Sequence, residues 1–225
     1  MRSLFGTDGI RGKAGEYPLD PATVSRIGAA LAASLRDGGR TGPITVVIGC
    51  DTRVSSPVLV SALAGGLRGA GARVRFAGVV PTPAVAHLVR ALGADAGISV
   101  SASHNPWPDN GIKIFSREGK KLPDSVEADI GKRIGTAGAR DPVETAEDPS
   151  LADLYETHLV ETLPTRLDGL KVVLDCANGA AFRVAPEAFR RAGAEVVELA
   201  VSPDGRNINE GCGALHPEAM AKAVV

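Results

Sequence analysis

Short apolar runs rich in Val and Ile alternate along this chain with stretches whose apolar positions recur at helical spacing. Asp20-Pro21 reads as an N-cap followed by proline at the first helical position. The helix it opens carries Ile27, Leu31 and Leu35 and stops at Gly38-Gly39. Ile44 to Ile48 reads as a buried strand, and the turn Gly49-Cys50-Asp51-Thr52-Arg53 leads into a helix from about Pro57 to Ala70. Arg73 to Phe76 is the next strand. A helix follows Thr82-Pro83 and ends at Gly93, and Gly97 to Ser101 and Ile112 to Phe115 are further strands. Repeated strand–helix–strand units predict an α/β layer fold with a largely parallel sheet.

From Lys120 to about Pro149 the pattern turns polar, with one helix near Asp124 to Ile134 and then a surface connection. A helix around Leu151 to Leu163 bridges to a fresh strand–helix pattern. That pattern comprises a strand at Lys171 to Leu174, the turn Asp175-Cys176-Ala177-Asn178-Gly179, a helix near Ala185 to Ala192 and a strand at Glu195 to Leu199. The reading divides the chain into residues 1–150 and 151–225. The second unit reads as unfinished, because the chain stops at Val224-Val225 inside a helical pattern with no capping signal.

Composition narrows the function classes. Hydrophobic residues are 44%, enough for a core, and the formal charge of −1 lacks the basic excess that nucleic acid or a membrane surface would want. The opening Met1-Arg2-Ser3-Leu4-Phe5-Gly6-Thr7-Asp8 breaks into Gly and Asp too early for a signal peptide. No apolar stretch approaches the ~18 residues of a membrane span, so the cytoplasm is the expected location. Cys50, Cys176 and Cys212 are far apart, with no C-x-x-C pair, and read as reduced packing residues rather than a disulfide framework or thiolate metal site.

Chemistry concentrates in Ser101-Ala102-Ser103-His104-Asn105-Pro106, followed by Asp109-Asn110-Gly111-Ile112-Lys113. A strand ends at Ser101, and the C-terminal ends of strands are where open α/β sheets carry ligand sites. Asn110-Gly111 reads as a turn that folds Lys113 back toward the serine. Residue types alone leave a serine-rich turn with self-satisfied hydroxyls as the bland alternative. A serine hydrolase would need a Gly-x-Ser-x-Gly elbow, which Ala102-Ser103-His104 does not supply. Asp51-Thr52-Arg53, also at a strand end, reads equally as a brace for the serine loop through an ion pair or as a plain helix-entry cap.

Ser-x-Ser-His-Asn-Pro with Asp-Asn-Gly-Ile-Lys after it resembles the phosphoserine loop of the phosphohexomutases. That family includes phosphoglucomutases, phosphomannomutases and phosphoglucosamine mutases. Phe5-Gly6-Thr7-Asp8-Gly9-Ile10-Arg11-Gly12 is similar to the opening typical of the phosphoglucosamine mutases among them. Asp175-Cys176-Ala177-Asn178-Gly179-Ala180, Asn207-Ile208-Asn209, Cys212-Gly213 and His216-Pro217-Glu218 extend the resemblance over the whole chain. Trp107-Pro108 and Ala214-Leu215 depart from the usual pattern. So does the absence of any Asp-x-Asp, since family members hold Mg²⁺ on an Asp-Gly-Asp-x-Asp-Arg loop.

The resemblance implies a three-layer α/β first domain with a mixed, largely parallel sheet, plus an incomplete second α/β domain. It makes Ser103 the residue that carries the phosphoryl group and, through a phosphoryl oxygen, a ligand of Mg²⁺. Arg11 and Lys113 would be the catalytic cations and His104 an orienting residue, with Thr7, Asp8 and Asn110 contacting substrate. A phosphosugar substrate, a sugar bisphosphate activator and a homodimer of the full-length enzyme complete the expectation. His216, His87 and His158 read as structural or surface residues.

Overall fold

The computed structural model describes residues 4–39 and 42–224. The expected opening at Met1 to Ser3, and Val225 at the other end, lie outside them. The elements run β1 (Ile10–Lys13), α1 (Pro21–Asp37), β2 (Thr45–Cys50), α2 (Ser56–Gly69), β3 (Arg73–Val79), α3 (Thr82–Leu92), β4 (Ala96–Val100) and β5 (Asp109–Ser116). They continue with α4 (Asp124–Ile134), α5 (Ser150–Glu161), β6 (Lys171–Asp175), α6 (Val184–Arg191), β7 (Glu195–Leu199) and α7 (Glu218–Ala223). The Asp20 carboxylate accepts from the Thr23 amide at 2.9 Å and caps α1. Gly93, in the left-handed conformation with φ 61°, ends α3.

Five strands form one sheet in the order β1-β5-β4-β2-β3. β2 pairs parallel with β3 and β4, whereas β5 runs antiparallel to both β4 and β1. The sheet is mixed, with the parallel strands β4, β2 and β3 on one side and the antiparallel β5 and β1 on the other. Alternation sends Ile48, Ile98, Ile112 and Ile114 to one face, where α1, α2 and α4 cover them with Ile27, Leu31, Leu63, Leu67 and Ile130. The opposite face carries Val47 against Val85, Leu88 and Val89 of α3 and Leu151 and Tyr155 of α5. Helices on both faces make three layers.

β1 is an element that the hydrophobic pattern did not predict, because four residues reading Ile-Arg-Gly-Lys carry no apolar run. Asn110-Gly111 is a second difference. The pair lies inside β5 rather than in a turn, and the chain reverses earlier, between Ser101 and Pro108. Glycine suits residue 111 because a Cβ there would stand 2.8 Å from the Ser101 carbonyl oxygen. Lys113 was expected to fold back toward the serine; it pairs with Ser99 on β4.

The polar stretch after α4 lies on the surface of the first unit. The Ser25 hydroxyl and the Arg140 backbone bond each other in both directions, and the Asp148 amide donates to the Phe76 carbonyl. β6 and β7 form a separate parallel pair. Among the described residues no helix is long and apolar enough to cross a membrane.

Candidate functional site

The loop that follows β4 is framed by a buried arginine. Arg53 comes off the end of β2, and its side chain is fully buried against Asp51, with Nε 2.9 Å from a carboxylate oxygen. Its two terminal nitrogens donate to four backbone carbonyls of the loop, those of Ser103 (3.1 Å), Asn105 (2.8 Å), Pro106 and Asp109 (2.9 Å). The Ser56 hydroxyl donates to the other Asp51 oxygen at 3.0 Å. A guanidinium has five donors in a fixed fork, and here the carboxylate and the loop carbonyls together satisfy it. Of the two roles open for Asp51-Thr52-Arg53, the brace is the one in place. Removing the arginine would leave a buried carboxylate uncompensated.

The brace holds Ser103 out to solvent. Ser103 is exposed, has φ 58° and donates its backbone amide to the Ser101 hydroxyl oxygen at 3.1 Å. His104 beside it is exposed as well, while Ala102 is fully buried and pins the loop's base. Within the loop the Asn105 amide donates to Asp109 at 2.9 Å.

The opening segment delivers the cation. Gly6 and Gly9 exchange backbone bonds and close a tight hairpin with exposed Thr7 and Asp8 at its tip. Gly9 has φ 84°, and a Cβ on it would lie 2.4 Å from the Ile112 carbonyl oxygen, so only glycine lets the hairpin lie against β5. The hairpin leads into β1, where Arg11 pairs with Gly111. Arg11 donates to the Asn105 side-chain oxygen at 3.3 Å and pairs with Asp8 at 3.2 Å, while its Nε is buried without a partner. Register puts Arg11, Lys113 and Ser99 on one face of the sheet.

The expected site residues do not all meet. Arg11 reaches the serine loop, whereas Lys113 lines a cavity of about 270 Å³ with Thr7, Asp8, Thr82, Lys121 and Glu127. Ser103 and His104 do not line that cavity. Asn110, expected at the substrate, is fully buried, and its amide donates to the Ser55 hydroxyl at 2.9 Å and to that of Ser56. Burial therefore makes it part of the loop's frame and keeps it from substrate. A larger open cavity of about 730 Å³ lies away from the serine loop, between α5, α6 and β7. Two ion pairs line it, Arg190 with Glu198 and Arg191 with Glu156.

Sequence reasoning missed the contribution of the second unit. The Asn209 side-chain amide donates to the Ser103 and Asn105 carbonyls at 3.0 and 3.2 Å. The Thr52 hydroxyl donates to the Asn178 carbonyl, and the Val54 amide to that of Gly205 at 2.8 Å. The Arg206 guanidinium lies 5.2 Å from the centre of the Trp107 ring, within cation–π range. Asn178 and Asn209 stood in segments that carried the resemblance, but their only physical signal was being asparagines in glycine-rich loops, the residue type that tolerates the left-handed conformation both adopt.

Among the described residues no three His, Cys, Asp or Glu side chains lie together as a metal site. For the Mg²⁺ that the resemblance implies, the chain offers only a phosphoryl oxygen on Ser103, so the residues present do not make a metal site. Burial pushes the Cys50 thiol up to about 12, so this cysteine is a packing group rather than a nucleophile.

Residues 2–141 match the family model for the phosphoglucomutase/phosphomannomutase α/β/α domain I. A phosphoglucosamine mutase of Thermobifida fusca is 50% identical over 230 aligned residues, covering 100% of this chain and 51% of that relative. One from Acinetobacter baylyi is 49% identical, covering 99% of this chain and 52% of its own length. The crystal structure of a phosphoglucomutase/phosphomannomutase family protein from Burkholderia thailandensis superposes with a TM-score of 0.80 at 33% identity. That match covers 99% of this chain and 49% of the other. The chain spans about half the length of the curated relatives it matches.

Proposed function

The chain belongs to the phosphoglucomutase/phosphomannomutase family, and from that premise we propose that it is the Ser103-bearing part of a phosphoglucosamine mutase. The reaction would interconvert glucosamine 6-phosphate and glucosamine 1-phosphate, an amino-sugar step that precedes cell-wall synthesis. The observation that carries this reading is the loop after β4, where an exposed serine stands on a backbone gripped by a fully buried arginine. The choice of sugar rests on the relatives, which are named phosphoglucosamine mutases at about 50% identity across the whole chain.

Covalent catalysis splits the transfer into two displacements. In the first, the Oγ–P bond of phosphorylated Ser103 breaks as a sugar hydroxyl oxygen bonds phosphorus. The sugar hydroxyl gives up its proton and the serine oxygen recovers one. In the second, the resulting bisphosphate returns its other phosphoryl group to Ser103. A sugar bisphosphate loads the serine initially. Phosphoryl transfer depends mainly on positioning and charge neutralisation. In this reading Arg11, held at the loop by Asn105, supplies positive charge, and Lys113 does so across the cavity that Thr7 and Asp8 line. His104 orients the loop's outer side. Mg²⁺ stays the expected cofactor, and no step here is routed through it. The enzyme is assigned to the cytoplasm, with the full-length protein acting as a homodimer.

The test is a coupled assay for glucosamine 1-phosphate with sugar bisphosphate and Mg²⁺. It compares this chain with a version extended by the C-terminal half of the Thermobifida fusca relative. The chain alone should show no appreciable turnover. The extended form should turn over, and its Ser103→Ala variant should lose at least about a thousandfold, a barrier change of about 4 kcal/mol. Full activity in that variant would end the phosphoserine assignment. Preference for mannose or glucose phosphates would move the reading to a phosphomannomutase or phosphoglucomutase, and robust turnover by the short chain would show that the extension is not needed.

A further inference from the structure

Ser103 has φ 58°, a left-handed conformation that a non-glycine residue holds at a cost of order 1 kcal/mol and only where its surroundings impose it. Two side chains impose it here, and they meet at the same two atoms. Arg53 donates to the Ser103 and Asn105 carbonyls from below, and Asn209 donates to the same pair from the second unit at 3.0 and 3.2 Å. A carbonyl oxygen has two lone pairs, so each can take both donors. We propose that Asn209 is a positioning residue for Ser103, its side-chain amide completing from the second unit the clamp that Arg53 begins.

The residue type fits the task. The asparagine NH₂ has two hydrogens, one for each carbonyl, where aspartate has none and serine one. Asn209 is itself left-handed at φ 61°, which asparagine tolerates, and its backbone amide is anchored on the Ala177 carbonyl at 2.9 Å. The docking of the two units does not depend on it alone, because Thr52, Val54 and Trp107 hold the second unit through Asn178, Gly205 and Arg206. Losing the amide therefore frees the serine's carbonyls while the units stay together. The inference rests on the reading of Ser103 as the phosphoryl carrier.

The clamp is tested first on the unphosphorylated chain. Asn209→Gly removes both donors at a position whose φ suits glycine, so the chain should still fold cooperatively with a modest fall in melting temperature. Exchange of the amides in residues 101–109 should quicken about tenfold in this variant and in the near-isosteric Asn209→Asp. Unchanged exchange in both overturns the proposal. So does an equal effect from Arg206→Ala, which loosens docking without touching Ser103.

The consequence for chemistry is read by ³¹P titration of the chain with phosphoserine installed at 103. The charged and titratable groups at its loop are Arg53, which bonds its carbonyl, the Asp51 that pairs with Arg53, Arg11 and Asp109 on Asn105, and the adjacent His104. The second pKa should lie below the ~6 of free phosphoserine if the cations face it. Asn209→Gly should move it back up by ~0.5. No depression in the parent would count against the phosphoryl-carrier reading and leave the exchange result to judge Asn209. A depressed value that neither variant moves overturns Asn209's role.

Discussion

Strand β4 and strand β6 both read as short apolar strands of five residues and end in different surroundings. β4 buries all five of its residues, while β6 and its partner β7 bury none of theirs. The difference lies in what covers them. β4 has a strand on each edge and a helical layer on each face. β6 has one strand, and large apolar residues around it stay exposed, among them Leu170 at 54% and Leu215 at 60%. A Val-rich run states what a strand is able to bury, and the number of layers decides what it does bury. Ser103 leaves the strand that is fixed on all sides, whereas the Asn209 amide that grips its carbonyl comes from the unit with less to hold it.

Arg53 should break the comparison most severely. Arg53→Met removes four loop contacts and strands the Asp51 charge in a buried site, a loss of ~3–5 kcal/mol. Urea melts should show the first unit close to unfolded, with its tryptophan signal lost. The matching pair in the second unit, Arg166 with Asp168 at 2.9 Å, lies in solvent, and Arg166→Met should leave the same melt where it was. If the two substitutions cost the same, burial is not what gives the Arg53 pair its importance.

Packing sharpens the comparison. Ile98→Ala, at a fully buried position in β4, should cost ~2–5 kcal/mol through lost transfer energy and the cavity left behind. Val173→Ala, half-buried in β6, should cost less than ~1 kcal/mol. Denaturant midpoints at constant m-value read both. Equal losses would mean that the β6–β7 pair is as tightly covered as the main sheet.

The regular elements were legible because their signals are local. The Asp20 cap, the Gly93 stop and the apolar runs of β2, β3, β4, β6 and β7 each specify their own conformation. β1 was not legible, since its pairing with β5 is set by Gly9 and Gly111, which let backbones approach, and not by an apolar pattern. Asn110-Gly111 misled for the same reason: a dipeptide that usually turns can also be a strand that another backbone crowds. At the site, the serine motif marked the loop and Asp51-Thr52-Arg53 offered a brace as one of two readings, but the carbonyls it grips and the second grip from Asn209 did not show. Arg53 and Asn209 act on backbone carbonyls across 50 and 106 residues, and carbonyls carry no sequence signature.

The smallest expected effect lies at the seam between the two regions. His87 of α3 stacks on His158 of α5 with ring centres 3.8 Å apart, and Tyr155 stands 5.8 Å from His87. Burial, then the neighbouring His158 and Arg90, hold the His87 pKa below its ordinary 6.5. The unfolded chain therefore binds the proton more readily than the folded one. The resulting contribution to stability is fully present above about pH 6.5 and is lost as the pH falls through the lower folded value. On α5, burial raises the Glu156 pKa, and this acts in the opposite sense. Comparing the parent with His87→Gln at each pH cancels that second contribution. Thermal melts at pH 7.5 and 5.5 should show the parent losing more than the variant. Amide exchange in α5 should quicken before that in β4, because α5 is what the stacked pair ties to the main sheet. Parallel pH profiles for the two proteins would mean that the stacked rings hold α5 by packing alone.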